Sequence, residues 1–449
     1  MRLRSRRQME FNLFGMPVGT DEKSLRMAEM DKLVEAHPEW LDAVIRDVGI
    51  SENTETGRPG MTFESILRCG ILKQFFNESY DDLVHFLGTH SCSIMFARLP
   101  AGYVPGRSTL QENIGAIKPE TWEQIFRDIV NHAYKANVDD GSVARVDSTV
   151  TEALMHDPTD NSLLADSIRV MDRLMAKASE LPKSSISWEA GKVRKLGQKY
   201  SRQIQYAKGD DFREELYQKL LDLTGDTVRR LEYALKVMPL ASEKTIIWMM
   251  EVKHYLPLIA KVMDQCKRRV FDKEKVPAGE KIVSIFEPHA NIIVKSKAGP
   301  QYGHKINLVT GKSGIILDIS IETGNPADSE RFLPMLERHM EHYGRPPRQF
   351  AADGGYASRS NLEGAKSVGV EDMAFHKKCG LKVEEMTSSK RVYRKLRDFR
   401  AGIESNISCL KRVYGWGRCT WRGLEHFQAY VWSAAVAYNL NILAKLALE

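Results

Sequence analysis

The feature that most constrains this 449-residue chain is a split pattern, in which strand-like segments stand on both sides of a charged helical block of about a hundred residues. Ser142-Val-Ala-Arg-Val-Asp-Ser-Thr-Val-Thr alternates and is rich in β-branched residues, which is the signature of a strand. From about Asn161 to Lys275 the pattern turns helical, as in Glu214-Glu-Leu-Tyr-Gln-Lys-Leu-Leu-Asp-Leu. Strand signals resume at Lys281-Ile-Val-Ser-Ile-Phe and continue through His304-Lys-Ile-Asn-Leu-Val and Ile315-Ile-Leu-Asp-Ile-Ser-Ile, with Gly311-Lys-Ser-Gly314 as the connecting turn. A helix is expected over Asp328 to His342, then the strand Gln349-Phe-Ala-Ala-Asp. A helix near Asn361 to Val368, a strand near Asp372 to Phe375 and helices from Phe399 onward complete the order. This order specifies a mixed α/β domain interrupted after its first strand.

Ahead of that strand the chain reads as helical. Thr62 stands where it can cap a helix beginning Phe63-Glu-Ser-Ile-Leu, and a Gly57-Arg-Pro-Gly60 turn separates it from the segment before. A short helix follows around Asp81 to Leu87. Arg107-Ser-Thr-Leu starts another, with Ser108 or Thr109 as cap, and Pro119 suits the first turn of a longer one. Short helices in series fit a helix-turn-helix DNA module and equally a small structural bundle. The expected organisation is a helical N-terminal domain over 1–140, a mixed-sheet α/β domain built from 141–164 and 276–449, and a helical insertion over 165–275.

Composition narrows the class. Hydrophobic residues make up 43% and charged residues 28%, as in a folded globular protein. The purely apolar runs fall short of the roughly 20 residues of a membrane helix, and the basic MRLRSRR start is not followed by a signal-peptide core. With those short apolar runs no membrane partner is expected, and six scattered cysteines without a C-x-x-C pair point to reduced thiols and a cytoplasmic location. The net charge of +6 is unevenly spread: ten Lys/Arg against Asp398 and Glu404 lie between Lys390 and Arg422, and seven against Glu189 between Lys183 and Lys208, with Tyr200 and Tyr206 interleaved. Such clusters suit phosphate neutralisation or a solvated helix face.

Three acids are placed to do chemistry. Asp147 lies on the first strand. Asp353 ends a later strand and runs into Gly354-Gly355-Tyr356, a turn that exposes its carboxylate at the sheet edge. Glu404 sits early in a helix whose buried face is marked by Phe399, Ile403, Ile407, Leu410 and Tyr414, with Arg400, Glu404 and Lys411 on a neighbouring stripe. Two strand-borne carboxylates and one helix-borne carboxylate make a rigid cage for two divalent ions. Hard Mg²⁺ prefers such oxygens, and paired ions serve both ends of a phosphodiester displacement. Each acid alone also has a structural reading: Asp147 as a turn cap, Asp353 as an Asp-Gly turn residue, Glu404 as a helix ion pair with Arg400.

Together these segments resemble a known family. Val146-Asp-Ser-Thr-Val-Thr-Glu with Pro158-Thr-Asp-Asn-Ser-Leu-Leu, and Phe350-Ala-Ala-Asp-Gly-Gly-Tyr, look like the segments around the first two acids of DDE insertion-sequence transposases. Arg400, Glu404 and Lys411 match the Arg, Glu and Lys of their C-terminal signature Tyr-x-x-Arg-x-x-x-Glu-x-x-x-x-x-x-Lys, while Arg397 stands at the Tyr position. Ser284-Ile-Phe-Glu-Pro-His and Tyr302-Gly-His-Lys resemble phrases of ISNCY-type elements, and Arg58 to Ile117 resembles the helical domain ahead of the core in several such enzymes. The resemblance implies an RNase H-like fold, dependence on Mg²⁺ or Mn²⁺ held by Asp147, Asp353 and Glu404, and action on double-stranded DNA at the element's terminal inverted repeats and at the target. Joining two ends requires a dimer or more on DNA. A catalytically silent DNA-binding derivative and an RNase H-like nuclease that cuts without joining are the rival readings.

Arg400, Lys411, Arg107, His304 and Lys305 are the candidate DNA contacts, His304 and Lys305 also suiting an ordinary strand end. Asp157 and Asp160 flank Pro158 and read as turn residues more than metal ligands. Trp416, Trp421 and Phe427 suit a core, or stacking on unpaired bases.

Overall fold

The computed structural model describes residues 4, 21–49, 60–100, 102–295, 299–376 and 379–449. Most of the Gly57–Gly60 turn and all of the basic N-terminal run except Arg4 lie outside the described residues. Two compact units divide the chain, residues 1–153 with 304–449 and residues 154–303.

In chain order the first unit opens with α1 (Glu22–Glu35), α2 (Glu39–Val48), α3 (Phe63–Phe76), α4 (Tyr80–Thr89), α5 (Ser91–Phe96), α6 (Arg107–Gly115), α7 (Pro119–Lys135) and β1 (Val143–Glu152). The second unit holds α8 (Asp160–Glu180), α9 (Lys192–Tyr206), α10 (Asp210–Val237), α11 (Glu243–Val270) and β2 (Asn291–Ile293). The first unit resumes along β3 (Gln301–Gly311), β4 (Ile316–Ile321), α12 (Asp328–Tyr343), β5 (Gln349–Ala352), α13 (Arg359–Ser367), β6 (Asp372–Phe375), α14 (Val383–Met386), α15 (Lys390–Ala401), α16 (Ile403–Val413) and α17 (Leu424–Leu448).

Local chemistry explains several boundaries. The Thr62 hydroxyl accepts from Ser65 N–H at 3.0 Å and starts α3 as expected. Pro119 opens α7, where a missing N–H costs nothing. α6 differs: it begins at Arg107 behind Gly106, and neither Ser108 nor Thr109 caps it. The helix expected from Phe399 is two helices, α15 and α16, parted at Gly402.

The sheet is mixed. β4 pairs antiparallel with β3, β3 neighbours β1, β1 runs parallel to β5, and β5 runs parallel to β6. Such a sheet with a helical majority around it is compatible with an RNase H-like core. Buried apolar side chains of β1, β3, β4, β5 and β6 share one core with helices α1–α7 and α17. α17 is long and apolar enough to cross a membrane by composition. Its faces are already taken, since it packs against α7, α1 and α3, with the Phe126 ring 5.2 Å from that of Trp432. Asn439, fully buried on α17, accepts from Ile316 N–H at 2.9 Å and donates to Ile316 C=O at 2.8 Å, so its amide substitutes for a neighbouring strand at the start of β4.

The second unit is a helical assembly with its own core, including Leu164, Met171, Leu220, Trp248 and Val262. Its strand content departs from expectation. Lys281–Phe286 is not a strand: the Gln265 side chain bonds both N–H and C=O of Ile282, and the Ser284 hydroxyl accepts from the N–H groups of Phe286 and Glu287. Side chains thus satisfy the backbone groups that a ladder would have used, while Ile282 and Ile285 bury among the helices. The short strand follows instead at β2, antiparallel to the first residues of β3.

Candidate active site

The register of two parallel strands brings the first two acids together. Val146 on β1 stands opposite Ala352 on β5. One further step of that register sets Asp147 beside Asp353, across strands that lie about 4.8 Å apart. Past Ala352 the chain turns through a 3-10 segment, Gly354–Tyr356. Tyr356 is fully buried and donates its hydroxyl to Asn307 Oδ1 at 2.6 Å, which ties the turn down to β3. Burial pushes the Tyr356 phenol well above its ordinary range, so it stays a neutral donor. Asp328, the first residue of α12, accepts from Ser148 Oγ at 2.9 Å and pairs with Lys305 at 2.6 Å. A Cβ on Gly355 would stand 2.9 Å from Asp328 Oδ2, so the turn approaches that carboxylate as only glycine allows.

The third acid arrives on α16, whose entry is fixed from β1. Arg145 points to the same strand face as Asp147, two residues on. Its guanidinium donates to Thr310 Oγ1 at 2.9 Å, to Asn406 Oδ1 at 2.8 Å and to the Phe399 carbonyl, and lies 4.5 Å from the Phe399 ring centroid. It therefore holds the last turn of α15 and the first turns of α16 against the sheet. Asn406 in turn donates to the Gly314 carbonyl at 3.1 Å and to the Tyr438 hydroxyl at 2.6 Å, joining α16 to the β3–β4 turn and to α17. Gly402 at the α15–α16 junction has no room for a side chain, because a Cβ there would overlap the Arg145 guanidinium.

All three acids converge on one cation. Arg400 Nη2 lies 2.7 Å from Asp147 Oδ2 and 3.0 Å from Asp353 Oδ1, and Nη1 lies 2.9 Å from Glu404 Oε1. At most about 5.7 Å, the sum of the first two distances, separates the Asp147 and Asp353 oxygens. Side-chain exposure rises from 13% at Asp147 to 36% at Asp353 and 66% at Glu404, with Arg400 at 7%, so the cluster opens outward toward Glu404. There Glu404, Ser405, Ser408 and Arg412 line an open depression of about 570 Å³.

Among the described residues no three of His, Cys, Asp or Glu stand in a group that could hold one ion; a guanidinium lies between these carboxylates instead. The donor set nevertheless suits a hard cation. It offers only carboxylate oxygens, each already facing positive charge, and those of Asp147 and Asp353 lie no more than about 5.7 Å apart.

The other candidates fall in different places. His304 and Lys305 are buried: His304 Nδ1 lies 2.8 Å from the Glu322 carbonyl, and Lys305 also donates to the Pro326 carbonyl at 2.7 Å, so neither offers a surface cation. Lys411 is half-buried, and burial lowers its ammonium below the usual lysine range against the opposing pull of Glu152. Arg107 is exposed at the start of α6, 3.3 Å from Asp81. Trp416, Trp421 and Phe427 are core residues. Asp160 belongs to the second unit, where it pairs with Arg269 at 2.9 Å.

Sequence reasoning passes over Arg145, Asn307, Asp328, Tyr356 and Asn406. For Arg145 a signal exists: a charged residue two before Asp147 on a strand shares its inward face. No local pattern marks the others.

No curated protein and no solved structure matches the chain. Residues 286–440 match the family model of the transposase DDE domain, a stretch of about a third of the chain that contains Asp353 and Glu404 but not Asp147.

Proposed function

We propose that this chain is a DDE transposase with an RNase H-like catalytic core. It cleaves a DNA strand at the ends of its element and joins the freed 3′-hydroxyl to a target phosphodiester. The observation that carries this reading is the convergence of Asp147, Asp353 and Glu404, from three separate elements, on the single guanidinium of Arg400. The transposase DDE match over residues 286–440 supports it independently.

In this reading Asp147, Asp353 and Glu404 hold two Mg²⁺ or Mn²⁺ ions. When bound, such ions supply a more acidic water and charge neutralisation at both the attacking and the leaving oxygen. The protein's own part is positioning. Arg145 and Asn406 hold the entry to α16, Tyr356 holds the turn after Asp353, and Arg400 is placed to exchange carboxylate partners for a DNA phosphate. The RNase H-like core comprises 141–164 and 276–449, the helices of 1–140 contribute to DNA binding, and two or more copies act on paired ends in the cytoplasm.

The test uses a supercoiled plasmid carrying the coding frame with its native flanking DNA, together with a second plasmid as target. The wild-type chain is expected to give Mg²⁺-dependent nicks at the element ends and joined products. Asp147→Asn, Asp353→Asn and Glu404→Gln should each lose nicking by roughly a thousandfold or more while still binding DNA. Normal cutting by all three variants overturns the assignment. Linear fragments without joined products make the chain a nuclease.

A further inference from the structure

The basic stretch in the second unit has no part in the site above, and its geometry is distinctive. α9 carries Lys192, Arg194, Lys195, Lys199 and Arg202 and not one acid. Lys192, Lys195, Lys199, Arg202 and Tyr206 follow one another at intervals of three and four residues, which places them on one helix face. All five are exposed, Tyr206 to 79%. Lys192 pairs with Glu189 at 3.0 Å; Lys195, Lys199 and Arg202 have no ion pair among the described residues.

The neighbouring helices behave differently. On α10, Arg213, Lys219 and Arg229 are each matched by an acid three or four residues away, Asp210, Glu215 and Asp226. On α11, Arg268 is held by Asp264, Glu274 and Glu280. Other exposed lysines of this unit, such as Lys253 and Lys261 on α11, also lack an ion pair among the described residues, but α10 and α11 intersperse acids among their cations and α9 carries none.

The opposite face of α9 is seated firmly. Val193, Gly197, Tyr200 and Ile204 recur at the same three-to-four spacing and turn inward. A Cβ on Gly197 would stand 2.9 Å from Ile168 Cδ1, so α9 lies close against α8. The cations are therefore mounted on a fixed helix. From Lys192 to Arg202 they span about 15 Å, a length of duplex that carries roughly nine phosphates.

We propose that this face of α9 is a DNA-backbone contact surface, a row of four cations that neutralises phosphates without reading sequence. The proposal rests on the transposase reading for the identity of the polyanion. Its signature is counterion release: each neutralised phosphate contributes about 0.9 to the slope of log affinity against log salt.

The experiment measures binding of the full chain to a fluorescently labelled duplex of arbitrary sequence by anisotropy, across a salt series. The triple variant Lys195→Gln, Lys199→Gln, Arg202→Gln should lower the slope by about 2.7. A control that removes as many charges from α10, Arg213→Gln, Lys219→Gln, Arg229→Gln, should leave it within about one unit of the wild type. These are exposed positions, and circular dichroism checks that both proteins are folded. An unchanged slope in the α9 variant, or an equal fall in the control, overturns the proposal. So does an α9 variant that keeps its DNA slope but loses binding to phosphatidylserine vesicles. If nicking at element ends still depends on Asp353, those outcomes leave the transposase reading intact. A wild-type chain that neither binds duplex nor nicks it removes both.

Discussion

Replacing Arg400 with alanine leaves Asp147, Asp353 and Glu404 facing one another without the guanidinium between them. Two effects follow, and they have opposite consequences for metal binding. Asp147 is the most buried of the three, and stripping the partner from a buried ion pair costs about 3 kcal/mol at the lower end of the usual range. The pairs with Asp353 and Glu404 add little, because solvent screens those carboxylates. The carboxylates also begin to repel. At a separation of about 5.7 Å and an effective dielectric of about 20, two unit charges repel by roughly 3 kcal/mol, which the exposure of Asp353 reduces to about 1–2 kcal/mol. A divalent ion relieves that repulsion in the variant, whereas in the wild type it must compete with Arg400.

The expected outcome is therefore a metal-free protein that melts roughly 5 °C lower than the wild type yet binds Mn²⁺ about 5- to 30-fold more tightly, the factor equivalent to 1–2 kcal/mol. Differential scanning fluorimetry with and without Mg²⁺, and titration calorimetry with Mn²⁺, read the two quantities without any need for activity. Added Mg²⁺ should raise the melting temperature of the variant more than that of the wild type. Arg400→Lys should fall between them, since an ammonium cannot fork across two partners. If Arg400→Ala melts with the wild type and binds Mn²⁺ no more tightly, the three carboxylates do not share that cation.

Three further perturbations probe the supports of the site and the core. Gly402→Ala puts a methyl group into the Arg145 guanidinium; it should cost about 1–3 kcal/mol and reduce nicking, whereas on an Arg145→Ala background, where the clash is absent, the same change should cost markedly less, as urea unfolding of the two single variants and the double variant would reveal. Asn439→Leu strands the N–H and C=O of Ile316 in the core; a loss of about 1–3 kcal/mol for each group is expected in the same unfolding assay, and a stable variant would mean the amide is not the partner. Burial depresses the His339 imidazole from 6.5 to about 4, so the folded protein keeps it neutral. That contribution is complete above pH 6.5 and declines as pH falls toward 4, by roughly 3 kcal/mol in all; His339→Gln should flatten the fall in stability over that window, and an unchanged profile would refute the assignment.

Much of this architecture is legible in the sequence, for physical reasons that also mark the limit. Strand alternation before the helical block, Thr62, Pro119 and the Gly311–Gly314 turn are short-range signals, and the elements they announce are where the structure has them. Lys281–Phe286 looks like a strand because it is apolar and β-branched, but apolarity reports burial and not the partner of the backbone; here Gln265, seventeen residues before Ile282, supplies it. Asp353 stands out because it ends a strand before a Gly-Gly turn, and Glu404 because it sits on an Arg-Glu-Lys stripe, whereas Asp147 lies mid-strand. Arg145 to Asn406, Asn307 to Tyr356 and Ser148 to Asp328 are pairs formed between elements remote in the chain, and nothing in either partner's neighbourhood announces the other.

Strand β1 couples the first acid to the third. Side chains on a strand alternate, so Arg145 and Asp147 share a face, and their spacing along the strand is fixed by the backbone. Arg145 binds the α15–α16 junction through the Phe399 carbonyl and Asn406, while Asp147 binds Arg400, which lies one residue after Phe399. Two rungs from one strand therefore meet a single helix junction, one setting its position and the other receiving its guanidinium. A shift of β1 by one residue would turn both rungs away together, and Asp147 would also lose its place beside Asp353, because the same register with β5 sets that neighbour. The pairing of β1 with β5 thus sets the two aspartates of the cluster side by side, and an Arg145→Ala chain that still holds Glu404 against Arg400 would show that the junction needs no such strut.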